Sequence, residues 1–418
     1  MAPSLKLLLR ATAILGFFIL LIAQFHPRIP FDLRSIPSPF SIPSHVSTHT
    51  PTEAEDRHLS SQECITRYPE LYYEADRARD WHHRREGISK QAVDAAERDG
   101  GNARLVILDN KASLLFVKAY YGGLNTRTQA AIAAVYRTLL TSPEPLPDVD
   151  FVIQTHDAGG GDYPHFVLDR TVEQEHLWLM PDFGFFSWPE PGVGAYDQVR
   201  AETLNYETVL ELNATEASIL GRKTKKLFWR GSPMVEVRQD LLRASRDQPW
   251  SDVKELNWGA VNQDEEGREQ NNGDLKSPSE HCQFAFLAHV EGYLQQCRSI
   301  IVSQPLRYIQ HYHHLLNSDP TSPYQNIVEV PLPLDEHLPS VMDGLLDPLN
   351  SESVERIAEN SWRDMRERWI SPAANECYYR YALRQYASVQ TFQPGLEQRS
   401  VPYESFLLMG TTQWDPHR

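Results

Sequence analysis

The sequence predicts an α/β protein built as two Rossmann-like halves. Short apolar runs alternate with helical stretches, and the alternation occurs on both sides of residue 220. Short buried strands separated by helices imply parallel pairing, because parallel neighbours need a crossover. The roughly 360 residues beyond the N-terminal segments suffice for one large or two medium cores.

At the N-terminus, Lys6 and Arg10 precede an uncharged run from Ala11 to Ala23 that extends to Phe25. The run is shorter than the roughly 20 residues of a comfortable transmembrane helix. No small-x-small cleavage site follows it, which favours an uncleaved signal anchor over a signal peptide. The positive-inside rule then makes residues 1–10 a cytoplasmic tail and 11–25 the anchor, with the remainder across the membrane. Residues 26–60, with Pro27, Pro30, Pro37, Pro39, Pro43 and Pro51, lack a sustained apolar period and read as a disordered stem. An N-terminal half at 61–220, a C-terminal half at 221–392 and a tail at 393–418 follow.

In the first half, 66–98 has helical spacing. Leu105 to Leu108 and Leu114 to Val117 form a hairpin-like pair turning at Asp109-Asn110, and a helix runs from about Arg127 to Leu140. Phe151 to Thr155 and Leu177 to Met180 read as strands. In the second half, Leu227 to Trp229, Ser299 to Val302 and Asn326 to Val330 repeat the theme. Helices are expected around 235–245, 280–296, 306–316 and 351–368. The polar stretch Asn262 to Pro278 reads as a surface loop.

A formal net charge of −16 argues against nucleic acid or an anionic membrane surface as partner. The four cysteines, Cys64, Cys282, Cys297 and Cys377, lack the short paired spacing of a zinc site. In an oxidising lumen they allow one or two disulfides, with three full pairings. Asn213-Ala214-Thr215 is a glycosylation sequon, meaningful only in that compartment.

Residues 226 to 238 form an apolar approach that breaks at Gly231 and sets Arg230 and Arg238 near the break. Glycine lets a ligand near the backbone, and arginine forks match phosphate oxygens. Asp157 follows the strand Phe151 to Thr155 and precedes Ala158-Gly159-Gly160-Gly161, so it serves either as an exposed general base or as the cap of a glycine-rich turn. Asp162 is the nearby competitor. The stretch Met180 to Glu190 sets four aromatics among turn formers, which suits the floor of a sugar site or plain core packing. Asp148 with Asp150, and His311 with His313 and His314, invite a metal reading. Loop and satisfied-histidine roles are favoured for them.

The aromatic loop, the Leu-Phe-Trp-Arg-Gly-Ser segment with Arg238 behind it, and His281-Cys282-Gln283-Phe284 leading to Glu291-Gly292 together resemble glycosyltransferase family 90, the family of fungal capsule-associated proteins and animal protein O-glucosyltransferases. The resemblance spans roughly residues 65 to 390. It implies a GT-B fold of two facing Rossmann-like domains, with a UDP-sugar held mainly by the second. It also implies inverting transfer of glucose or xylose to a hydroxyl of a glycan or protein acceptor, with no obligatory metal. By position Asp157 resembles the catalytic aspartate. Trp229, Arg230, Gly231, Ser232, Arg238, Glu291 and Gly292 fall on the donor side, and Asp182, Phe183, Phe186 and Trp188 on a sugar- or acceptor-facing loop. The implied setting is a type II membrane protein of the Golgi or endoplasmic reticulum.

One departure stands out. Family members run from the Glu-Gly pair through a Ser-Gly-Arg element and a lysine, whereas here Gly292 joins directly to Tyr293-Leu294. By this comparison about seven residues and the family's diphosphate arginine are missing, and Ala285 stands where a lysine is common. The gap reads either as an error in exon assignment, since its edges are clean and both flanks still resemble the family, or as a true variant. The variant reading makes a non-catalytic glycan- or partner-binding member the alternative. A glycosidase would need two carboxylates across a cleft, and nothing in the sequence selects such a pair.

Overall fold

The computed structural model describes residues 53–117, 122–188, 193–214, 218–256, 262–263, 269–270, 275–289 and 296–409. They belong to one compact unit, Pro51–Arg418. The expected anchor at 11–25 lies outside the described residues. Among those described, no helix is long and apolar enough to cross a membrane.

The folded chain begins earlier than expected. Ala54 and Leu59, assigned to the stem, are buried, and the Ala373 N–H donates to the Ala54 carbonyl at 3.0 Å. Helix Ser61–Arg67 opens with a reciprocal cap: Ser60 Oγ accepts from the Glu63 N–H, and the Glu63 carboxylate accepts from the Ser60 N–H. Helices Tyr73–His83 and Lys90–Arg98 follow.

Strands β1 (Ala103–Leu108) and β2 (Lys111–Val117) pair antiparallel around Asp109 and Asn110. Both turn residues have positive φ, +47° and +60°, the left-handed pair that matches strand twist in a two-residue hairpin. The Asp148 carboxylate accepts the Asp109 N–H at 2.9 Å, so this residue serves the turn. Helix Gly122–Thr141 leads to β3 (Val149–Ile153), β4 (His165–Val167), β5 (Arg170–Thr171) and β6 (Trp178–Leu179). A 3-10 turn, Phe183–Phe185, precedes β7 (Ser187–Trp188) and β8 (Gly194–Ala195), then helices Tyr196–Leu212 and Ile219–Arg222.

Beyond them lie β9 (Thr224–Gly231), helix Glu236–Ala244, β10 (Ser251–Glu255), and the short pair β11 (Asn262–Gln263) and β12 (Glu269–Gln270). Next come β13 (Phe284–His289), β14 (Ile300–Ser303), β15 (Tyr308–Ile309) and β16 (Val328–Glu329). The chain closes with helices Leu334–Leu346 and Ser351–Asn360, a π-helical stretch Ser361–Trp369, helix Pro372–Val389, β17 (Val401–Pro402) and helix Tyr403–Met409.

The first sheet has the order β17-β2-β1-β3-β4-β6. It is mixed rather than wholly parallel: β1 runs antiparallel to both β2 and β3, while β3, β4 and β6 are parallel. The second sheet, β10-β9-β13-β14-β16, is parallel throughout. Every residue of β13 and β14 is buried, as expected for strands covered on both faces. β5 pairs with β15, joining the chain beside the first sheet to the chain beside the second.

Two expected helices are not found among the described residues. In place of the first part of 280–296 stand a 3-10 turn at Glu280–Gln283 and then β13. Phe284 to Ala288 is a continuous apolar run, which periodicity alone cannot divide between strand and helix. In place of 306–316 stand β15 and a 3-10 turn at His313–Leu315. The chain assigned to the tail supplies edge strand β17, paired to β2, with Tyr403 stacked on Tyr136 at 4.0 Å.

Helix Pro372–Val389 packs into the core of the first sheet, although its position in sequence is in the second half. Tyr386 lies 5.2 Å from Trp178 and 5.3 Å from Phe166, ring centre to ring centre. A disulfide, Cys64–Cys377, fastens that helix to Ser61–Arg67, and Cys282–Cys297 closes a second link.

Candidate functional site

The end of β3 is pinned before Asp157 is reached. The Thr155 N–H donates to Asn102 Oδ1 at 2.8 Å, and the Thr155 and Thr128 hydroxyls meet at 2.9 Å, joining the strand end to helix Gly122–Thr141. Past Asp157, Ala158 and Gly161 have positive φ, +66° and +92°. A side chain at Gly159 would strike the Asp169 carbonyl oxygen at 2.1 Å, so only glycine fits. The Gly159 N–H donates to Asp169 Oδ1 and the Gly160 N–H to Gln154 Oε1. The loop is thus fixed by its own hydrogen bonds, and it presents the Asp157 side chain 86% exposed.

Arg127 reaches this carboxylate, Nη1 to Oδ1 at 2.5 Å, and its guanidinium lies 4.9 Å from the centre of the Phe183 ring. Phe183 meets Trp188 edge to face at 5.4 Å. Asp182 caps the 3-10 turn by accepting the Gly184 N–H at 2.7 Å. Burial pushes the Asp182 carboxyl up to about 6, opposed first by the Gly184 N–H and then by Arg127, and reinforced by Asp169 and Asp157. Four residues singled out by sequence, Asp157, Asp182, Phe183 and Trp188, therefore gather around an arginine that was not. Nothing local marked Arg127; an arginine early in a helix usually faces solvent. Phe186 lies apart from this group, under the Arg137 guanidinium at 4.8 Å, and Asp162 is exposed.

The second sheet reverses strand order between β9 and β13, the arrangement in which parallel α/β sheets open a crevice at their carboxyl ends. Gly231 and Ser232 lie at that end of β9. Trp229 is buried in the second core, and a side chain at Gly231 would meet its ring at 2.5 Å. Arg230 braces β9 against β10: its guanidinium donates to the Trp229 carbonyl at 2.9 Å, the Asp252 carbonyl at 2.6 Å and the Asp252 carboxylate at 2.8 Å. Its side chain is only 5% exposed, so the sheet itself occupies the arginine expected to meet a phosphate. Arg238, in the first turn of helix Glu236–Ala244, donates to the Ser232 carbonyl at 3.2 Å and shapes the loop. Glu291 and Gly292 lie outside the described residues.

A cavity of about 350 Å³ opens between helix Tyr73–His83 and the carboxyl ends of β14 and β16, lined by Tyr73, Arg77, Gln304, His313 and Glu329 among others. That volume is at the lower end of small-molecule sites. Arg77 is held there by Glu74 at 3.1 Å and Glu175 at 2.8 Å.

The histidine cluster takes structural roles. The His311 ring faces Asn375 Oδ1 at 3.2 Å, with burial pushing it down to about 3, and that of His314 faces the Glu70 carbonyl at 2.8 Å. Asp150 is paired with buried Arg104 through both oxygens, at 2.8 and 2.6 Å. Among the described residues, the group with metal-ligand spacing is Glu207, Cys282 and Cys297, whose sulfurs form the disulfide. Asn213 is exposed at the C-cap of helix Tyr196–Leu212.

A mixed α/β fold with parallel strands, a fixed glycine loop carrying a carboxylate, and a crevice at strand ends is consistent with a glycosyltransferase. The family model described as glycosyl transferase family 90 matches residues 72–409, and the chain belongs to that family. Membership supports a transferase and implies a nucleotide-sugar donor and a glycan acceptor. No curated protein matches the chain.

Proposed function

We infer that the protein transfers glucose or xylose from its UDP-sugar to a hydroxyl of a glycan or protein, with inversion at the anomeric carbon. The observation that carries this reading is Asp157, an exposed carboxylate on a loop held rigid at the end of β3. The acceptor O–H donates to Asp157, and the acceptor oxygen attacks the anomeric carbon opposite UDP. The bond from that carbon to the diphosphate oxygen breaks, UDP departs with the electron pair, and Asp157 keeps the proton. The N-terminus of helix Glu236–Ala244, which follows the end of β9, suits the departing diphosphate. The basic residues ahead of the 11–25 run favour a type II orientation with the catalytic part in the Golgi or endoplasmic reticulum lumen, where Asn213 would be modified.

A second reading, a family member that binds glycans without turnover, is favoured by one observation. The connection from β13 to β14 is residues 290–299, ten residues, at the lower limit for a parallel crossover. The enzyme test is UDP release by the full-length chain with UDP-glucose and UDP-xylose. Turnover by wild type, and its loss by at least about 100-fold in Asp157→Asn, is the expected result. Equal turnover by Asp157→Asn removes Asp157 from the role, and sugar binding without UDP release from any donor supports the binding reading.

A further inference from the structure

We propose that Arg127 is a positioning residue for this transfer, an inference that rests on the transferase reading: its guanidinium fixes the Asp157 carboxylate by one oxygen and ties it to the Asp182–Phe183 turn. The contact is one-sided. Nη1 holds Oδ1 at 2.5 Å, and among the described residues no donor is bonded to Oδ2. One oxygen is thereby anchored and the other is left for an acceptor hydroxyl.

The arginine is itself well placed to act as a reference point. Its neighbour Thr128 is buried and meets Thr155 hydroxyl to hydroxyl, which locks the backbone beside Arg127 to the end of β3. The guanidinium carbon lies over the Phe183 ring at 4.9 Å, and that ring is buried in the first core. Two elements far apart in sequence, helix Gly122–Thr141 and the turn Phe183–Phe185, thus converge on one carboxylate. Without Arg127, a side chain as exposed as that of Asp157 would sample several rotamers, and misplacement of a reacting group by about 1 Å costs about 100-fold in rate. Lysine would preserve the charge and lose the planar stacking.

Asp182 supplies a readout independent of turnover. Arg127, Asp157 and Asp169 face it, along with Tyr312 and with Tyr379, whose hydroxyl donates to the Pro181 carbonyl at 3.1 Å. Arg127 is the one cation in that set, so its removal raises the Asp182 midpoint above about 6.

The experiment combines carboxyl ¹³C titration of Asp182 with UDP-release kinetics in wild type, Arg127→Ala and Arg127→Lys. In Arg127→Ala the Asp182 midpoint rises and kcat falls about 100-fold with donor KM nearly unchanged; Arg127→Lys keeps the midpoint near wild type and recovers about a tenth of kcat or more. An Asp182 midpoint unmoved in Arg127→Ala overturns the coupling, and an unchanged kcat overturns the positioning role. If the alanine variant does not fold, Arg127→Lys and Arg127→Gln carry the same comparison. Absence of donor turnover in wild type overturns the transferase reading, and with it Arg127's part in transfer, whatever the titration shows.

Discussion

Asp182 shows how a single carboxyl is placed at a cost that depends on pH. Its folded pKa of about 6 lies above the ordinary 3.8, with desolvation as the leading cause. Between those values the folded state binds more protons than the unfolded chain, so this residue's contribution to stability falls as pH rises from about 4 to about 6. Below about 4 both states are protonated and the penalty vanishes. Asp182→Asn, whose amide oxygen can still accept the Gly184 N–H, should therefore stabilise the protein at pH 7.5 by roughly 3 kcal/mol and leave it nearly unchanged at pH 3.5. Thermal unfolding at the two pH values checks this; an equal gain at both would place the effect outside titration. At the same scale, sequence marked Asp157 because a strand and a glycine run flank it. Arg127 carried no such mark, since its partner lies 30 positions away and tertiary contacts such as Thr128–Thr155 bring the two together.

Elements were legible where one local rule determined them. Asp109-Asn110 demands a two-residue turn, and the antiparallel β1–β2 pair follows directly. The β13 run has no period that divides strand from helix, so the sequence alone permits a helix there, and its neighbours β9 and β14 decide for a strand by pairing with both edges. Cysteine pairing was equally hidden: three arrangements fit the sequence, and the fold selects Cys282–Cys297, which joins the turn before β13 to the chain before β14. That bond closes a loop with a sequence separation of 15. A loop of this length restricts the unfolded chain by about 3 kcal/mol. Replacing both cysteines by serine should lower stability by that order in denaturant titration, with loss of UDP binding if the clamp also orders the crossover. Retained stability would show that the link does not restrict the unfolded chain to that extent.

At the scale of the molecule, the second sheet sets a limit on what the chain between β13 and β14 can do. Parallel neighbours in register, Phe286 beside Ile300 and His289 beside Ser303, oblige the chain to return from the end of one strand to the start of the next. The 290–299 connection provides ten residues for that return, against the dozen or more usual for a crossover with its helix. Little is left to present a diphosphate-binding arginine at the switch point, and Arg230, the nearest alternative on β9, is engaged with Asp252. Arg298 cannot readily take the place, since its guanidinium lies over Trp362 at 5.1 Å and near Glu359 at 3.3 Å. Inserting a seven-residue segment with Ser-Gly-Arg between Gly292 and Tyr293 supplies both length and charge. A charged hydrogen-bonded partner for a desolvated phosphate is worth about 2 kcal/mol or more, so affinity for UDP should rise at least about 30-fold by calorimetry. An unchanged affinity would mean that the short crossover already serves the donor, and the case for a binding protein without turnover would lose its structural basis.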